Sequence, residues 1–222
     1  MTQEKFTKLI EKKFDWFIQQ GYKMHQIDTN IIFEKSFGDN TYALKFHWGE
    51  YHVIKIQGII AYKGFRQVEE IIAETIQREP DYTIKKIWKG EVPKEFHAYA
   101  NDNLLTNSIY ISNELQVQQF SEFVKIFFEN EANFFFKKYS DLKSIIEEMN
   151  LLPSDKKASM IVNNNNTAFL RIMAIKYYVD PVEGINFFDE TVKELEPVKK
   201  QKVFNVIIQN LKTLKTKLTH PT

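Results

Sequence analysis

Between Tyr42 and Trp48 every second residue is large and apolar: Tyr42, Leu44, Phe46 and Trp48 alternate with Thr41, Ala43, Lys45 and His47. A period of two puts the first set on one side of a strand and the second on the other, which no helical face reproduces. Such a strand needs neighbours to pair with and a layer to cover its apolar side. Upstream, Ile31, Phe33 and Phe37 keep the same parity up to the turn signal Gly38-Asp39-Asn40. A two-residue loop at Asp39-Asn40 pairs Phe37 with Tyr42 and Phe33 with Phe46, so that both apolar sets share a face.

The next turn carries the one cluster that looks like chemistry. In HWGEYH, residues 47 to 52, two histidines flank a glutamate at a spacing that could hold a metal. A turn at Gly49-Glu50 would set His47 beside His52, but it would also pair Phe46 with Val53 and Lys45 with Ile54, mixing the faces. A three-residue loop, Gly49-Glu50-Tyr51, pairs Trp48 with His52, Phe46 with Ile54 and Leu44 with Ile56. A one-residue slip flips every side chain, so the apolar pattern selects the second register and sends the two imidazoles to opposite sides. No metal or other cofactor is therefore expected.

Helical periods frame this sheet. Phe6, Leu9, Ile10, Phe14, Phe17 and Ile18 predict a first helix ending near Gly21. After a third strand over Val53 to Tyr62, Gly64 opens a helix with Phe65, Val68, Ile71, Ile72 and Ile76, stopped by Pro80. Further strands are expected around Tyr82 to Trp88 and Leu104 to Ile111. From about Ser112 the period becomes helical and stays so. A Phe-rich helix carries Leu115, Phe120, Phe123, Val124, Phe127, Phe128, Phe134 and Phe135, and Ser140 is placed to cap the next helix, which buries Leu142, Ile145, Ile146 and Met149. Ala168 to Val179 is apolar nearly all round apart from Arg171 and Lys176, which predicts the most buried helix. Asp180-Pro181 starts another, and Phe204, Ile207, Ile208, Leu211 and Leu218 mark the last. The expected fold is α+β: an antiparallel β-meander packed on helices over residues 1–112, followed by an all-α region over 113–222, the two packed as one compact unit.

With 222 residues, 43% hydrophobic and 19 Phe, the chain can bury a real core. It has no cysteine, which excludes disulfides, thiolate metal sites and cysteine nucleophiles. Its first residues have no uninterrupted apolar stretch, and no run is long enough for a membrane helix, so a cytoplasmic protein without a membrane partner is expected. Neither a P-loop, a dinucleotide fingerprint, a nucleophile elbow nor an HExxH motif is present. Pro80-Asp81 followed by Lys85 and Lys86 resembles part of a metal-dependent nuclease core, but Glu91 and Lys94, with Pro93 between them, have the wrong geometry for its second acid–lysine step. Pro80-Asp81 therefore reads as a helix stop and turn.

Charge is balanced globally, with a formal net of +1, and segregated locally. Residues 198–222 contain Lys199, Lys200, Lys202, Lys212, Lys215 and Lys217 and no acid, whereas the preceding helix has Glu183, Asp189, Glu190, Glu194 and Glu196 against Lys193 alone. These six lysines are the candidate partner-binding residues, for an acidic protein surface or for phosphates. The plain alternative is a solvated helix face. No aromatic platforms lie between them, as single-strand binding would want.

The order of features resembles a bacterial family of α+β proteins, some members of which sit beside polymorphic toxins and look like their immunity proteins. The likeness rests on Phe6-x-x-Leu9-Ile10, on Gly21-Tyr22-Lys23, on Phe135-Phe136-Lys137-Lys138-Tyr139-Ser140-Asp141-Leu142 and on Phe169-Leu170-Arg171-Ile172-Met173-Ala174-Ile175. It covers the first 150 residues and the buried helix, through packing motifs that carry no catalytic residue. The resemblance implies a non-catalytic protein-binding module that neutralises a toxin. The alternatives are a nucleic-acid-associated protein using the C-terminal lysines and a metal-dependent, nuclease-like enzyme.

Overall fold

The computed structural model describes residues 1–50, 53–90, 92–93, 96, 108–153 and 158–220. The chain is α+β. In order, its elements are α1 (Gln3–Lys13), α2 (Asp15–Gln19), β1 (Lys23–Ile27), β2 (Asn30–Phe37), β3 (Asn40–Glu50), β4 (Ile54–Phe65), α3 (Arg66–Ile76), β5 (Ile84–Ile87) and β6 (Ser108–Ile111). They continue as α4 (Glu114–Phe127), a π-helical turn (Phe128–Ala132), α5 (Asn133–Lys138), α6 (Leu142–Leu151), α7 (Ala168–Val179), α8 (Pro181–Leu195) and α9 (Lys202–Thr219). One antiparallel sheet holds all six strands in the order β1-β2-β3-β4-β5, with β6 also paired to β4. In the β4–β6 register Ile54 faces Ile111 and Ile56 faces Ile109.

Two compact units emerge from the contacts: Met1–Phe37, Tyr42–Tyr62 and Lys86–Phe136 form the first, and Gly38–Thr41, Lys63–Lys85 and Lys137–Thr222 the second. This division cuts across the change of period near residue 112, since α4 joins the first unit and α3 the second.

The first unit is built on aromatic packing. Phe14 meets Phe33, Phe46 and Phe120 at ring-centroid distances of 5.2, 5.8 and 5.7 Å, and Phe17 meets Phe33 and Phe128 at 4.9 and 4.7 Å. Such pairs contribute beyond the apolar area they bury. The expected single N-terminal helix is two: the chain leaves helical geometry at Phe14 (φ −99°, ψ 18°), and that ring enters the core. Gly21, with φ +85°, then turns the chain into β1, a strand the apolar period did not predict because Lys23, His25, Gln26 and Ile27 are exposed.

The hairpin between β2 and β3 differs from expectation by one turn position. Its loop is Gly38-Asp39, with glycine at positive φ (+57°), as the mirror-image turns of hairpins favour. Trp48 N donates to Thr29 O at 2.8 Å, which shifts each pairing by two residues from that expected. A shift of two preserves the faces, so Ile31, Phe33, Leu44, Phe46 and Trp48 are all buried as the alternation requires. Phe37, the last residue of β2, is 73% exposed.

The Phe-rich helix is also interrupted. The π turn inserts a residue into the helical count, so Phe128 and Phe135 are buried while Phe134, expected in the apolar stripe, is 67% exposed. Leu115, also expected in the stripe but in the first turn of α4 before the insertion, is 67% exposed as well. In the second unit the N-cap of α6 is Asp141 rather than Ser140, accepting from Ser144 N at 2.8 Å. Its carboxylate reaches the third helical N–H, as an N-cap must. The α7–α8 turn follows its prediction: Asp180 accepts from Val182 N at 2.9 Å and Pro181 occupies the first helical position.

Candidate functional site

His47, the first member of the HWGEYH cluster, lies between buried Phe46 and Trp48 along β3, and its Nδ1 is 3.1 Å from Thr29 Oγ1. β3 retains Gly49 and Glu50 rather than ending in a loop there, and His52 and Tyr51 lie outside the described residues. Among the described residues, no three His, Asp or Glu side chains are grouped to hold a metal. Of the residues weighed as nuclease-like, Asp81 and Lys86 have other partners. Asp81 Oδ2 accepts from Asn164 Nδ2 at 2.6 Å, and Lys86 pairs with Glu131 at 3.3 Å. Glu91 and Lys94 lie outside the described residues.

The six C-terminal lysines divide into two groups. Lys199 pairs with Glu196, Lys215 with Asp189 at 3.2 Å and Lys217 with Glu74 at 3.4 Å. Lys215 also stands over the Phe188 ring, 4.2 Å from its centroid. Lys199, as hydrogen-bond donor, holds the Glu196 carboxyl below its usual range, with Lys212 adding attraction. The acids of α8 and α3 thus absorb much of the charge the sequence concentrates in α9. Lys200, Lys202 and Lys212 remain exposed and form no ion pair among the described residues. Beside the first two in sequence Val198, Val203 and Val206 are also exposed, the last by 46%.

The surface next to α9 is concave. A groove of about 360 Å³ is lined by Thr75, Ile76, Gln77, Arg78, Val206 and Asn210. A wider cleft of about 820 Å³ lies around the end of α3, with Glu70, Glu74, Glu79 and Lys217 among its walls. Arg78 lines both. It also lines a third, 40 Å³ void against the buried polar cluster of this unit. Gln77 takes left-handed backbone geometry (φ 54°), and Arg78 N donates to Ala73 O at 3.0 Å. This six-to-one bond is the Schellman way of ending a helix, and it fixes the backbone that carries Arg78.

Behind the cleft sits an arginine the sequence places in its most apolar helix. Arg171 is 2% exposed. Its Nε and Nη2 donate to Glu69 Oε1 and Oε2 at 3.0 and 2.7 Å, and Nη1 donates to Val162 O at 2.8 Å and to the Thr167 hydroxyl. Asp81 adds a carboxylate 3.5 Å from Nη2. Thr83 Oγ1 donates to Glu69 Oε1 at 2.8 Å while accepting from Phe65 N at 3.0 Å. A buried bidentate pair with its remaining donors satisfied can be tolerated where a lone charge cannot. The cluster ties the first turn of α3, α7 and the segments around Thr83 and Val162 together.

A second buried cation lies at the end of β4. Lys63 is 1% exposed, its Nζ donates to Tyr139 O at 2.6 Å, and the Phe65 ring lies 4.9 Å away. Burial pushes the Lys63 ammonium down to about 8, against the opposing attraction of Asp141.

Arg78 was not singled out by sequence, because a lone arginine between a helix end and Pro80 has no distinguishing pattern. Arg171 did carry a signal, being a charge inside an apolar period. Its partner Glu69 lies 102 residues away and looks like any acid in the first turn of a helix.

Compared with protein-family models, with curated proteins and with solved structures, the chain matches none.

Proposed function

We propose that this chain is a non-catalytic, intracellular protein-binding module that neutralises a bacterial toxin by covering part of its surface. The observation that carries the reading is the composition of the exposed segment that leads into α9. Exposed Lys200 and Lys202 stand next to exposed Val198, Val203 and Val206, and a groove containing Arg78 runs alongside Val206 and Asn210. Unpaired cations steer an acidic partner into encounter, while apolar side chains and a groove slow its release. The resemblance to immunity-like proteins supports the same reading.

The test joins genetics to binding. The chain is co-expressed with the product of each neighbouring gene, and both survival and complex formation are measured. Rescue with a stoichiometric complex is expected. In that complex K200E/K202E should lower the association rate by about tenfold at low salt and less at high salt. Absence of both rescue and complex with every neighbour sinks the toxin reading.

A further inference from the structure

Arg78 is the cation on which three cavities converge, and no side-chain hydrogen bond or ion pair engages its guanidinium among the described residues. The other cation of the wide cleft, Lys217, is already paired with Glu74. Within the 360 Å³ groove Arg78 is the one charged lining residue, accompanied by the amides of Gln77 and Asn210 and by the apolar Ile76 and Val206. Glu70, Glu74 and Glu79 line the wide cleft instead.

A planar fork of donors matches a carboxylate in two parallel hydrogen bonds, which a lysine cannot supply. Side-chain amides add neutral donors, and two aliphatic walls suit the methylenes below an acidic head group. From this arrangement we infer that the groove is a carboxylate subsite that takes a glutamate or aspartate side chain of the protein partner, with Arg78 as its principal anchor. The inference rests on the protein-binding reading and names the chemistry at one point of that surface. The Schellman bond from Arg78 N to Ala73 O holds the backbone, so the guanidinium searches only its own rotamers before binding.

The probe is a blocked tripeptide, acetyl-Val-Glu-Val-amide, titrated into the full chain and followed by two-dimensional amide NMR. The same peptide with glutamine, and inorganic phosphate, serve as comparisons. Saturable shifts are expected at Gln77, Arg78, Val206 and Asn210, weakened by about tenfold or more with the glutamine peptide and abolished in R78M. Because Arg78 is exposed, R78M should keep the wild-type spectrum elsewhere. Equal shifts from both peptides, unchanged binding in R78M, or phosphate matching the glutamate peptide at these residues would overturn the assignment. Peptide binding without any neighbour-gene complex would keep the subsite and remove the toxin reading. A complex insensitive to R78M, with no peptide shifts, would do the reverse.

Discussion

Arg171 shows how strongly a single side chain can depend on partners far away in sequence. Its guanidinium satisfies Glu69, the carbonyl of Val162 and the Thr167 hydroxyl in a site closed to solvent. Replacing it by methionine leaves the Glu69 carboxylate buried without its counter-charge, which costs about 3–5 kcal/mol. Removing both charges, in R171M/E69M, should restore most of that loss, because a well-packed apolar pair avoids the desolvation of two ions. Urea unfolding of the two variants decides the matter: an R171M midpoint close to wild type would show that the pair is not closed to water. Lys63 gives a pH-dependent counterpart. Its folded-state value of about 8 lies below the ordinary lysine value of 10.5, so the native state disfavours its charged form. Below pH 8 that penalty is fully present. As pH rises from about 8 toward 10.5 the unfolded chain holds a proton the native state has released, and stability increases. Urea midpoints of the wild type should therefore gain on those of K63M between pH 7 and 9.5, and parallel profiles would contradict the shift.

Elements are positioned here by close approach as much as by pattern. At Gly184 of α8 an added Cβ would lie 2.6 Å from the Tyr177 Cα and 2.7 Å from its N, both backbone atoms of α7 that cannot swing aside. Alanine normally favours a helix over glycine by about 1 kcal/mol. In G184A overpacking should reverse that sign and destabilise by about 1–3 kcal/mol, read as a fall in the thermal midpoint. A rise in that midpoint would show that α7 and α8 can separate without cost. The π turn after α4 acts in the same way. Sequence supplied one apolar stripe from Leu115 to Phe135, but one inserted residue changes which rings face inward, burying Phe128, Phe135 and Phe136 and leaving Phe134 outside. Helical period alone cannot register such an insertion, since it assumes one turn angle throughout.

At the scale of the whole molecule, charge decides which partners are attracted. The formal net charge is +1, and the basic C-terminal segment meets Glu196, Asp189 and Glu74 through Lys199, Lys215 and Lys217. A nucleic-acid ligand would have to displace those pairs or rely on the remaining cations, with little help from the global field. The wild type should therefore elute from immobilised duplex DNA at or below about 0.15 M salt, with K212E/K215E eluting near the same point. Retention to much higher salt, lost in K212E/K215E, would favour the nucleic-acid reading over a protein partner. Among the described residues no helix is long and apolar enough to cross a membrane.

The amino-acid order by itself determined the class of fold. Alternation from Tyr42 to Trp48 required an antiparallel sheet with one apolar face, and the later change of period required helices, because each depends only on side chains a few residues apart. Even an error of one position in the Gly38 turn left the faces intact, since a shift of two residues conserves parity. Tertiary structure alone decided which charges are paired within the chain and which are not. Glu69 with Arg171, Glu74 with Lys217 and Asp189 with Lys215 meet across 102, 143 and 26 residues, and a charge acts through distance in space rather than along the chain. Arg78 stands out only once those pairs are drawn, as a cation lining a groove, with no ion pair among the described residues.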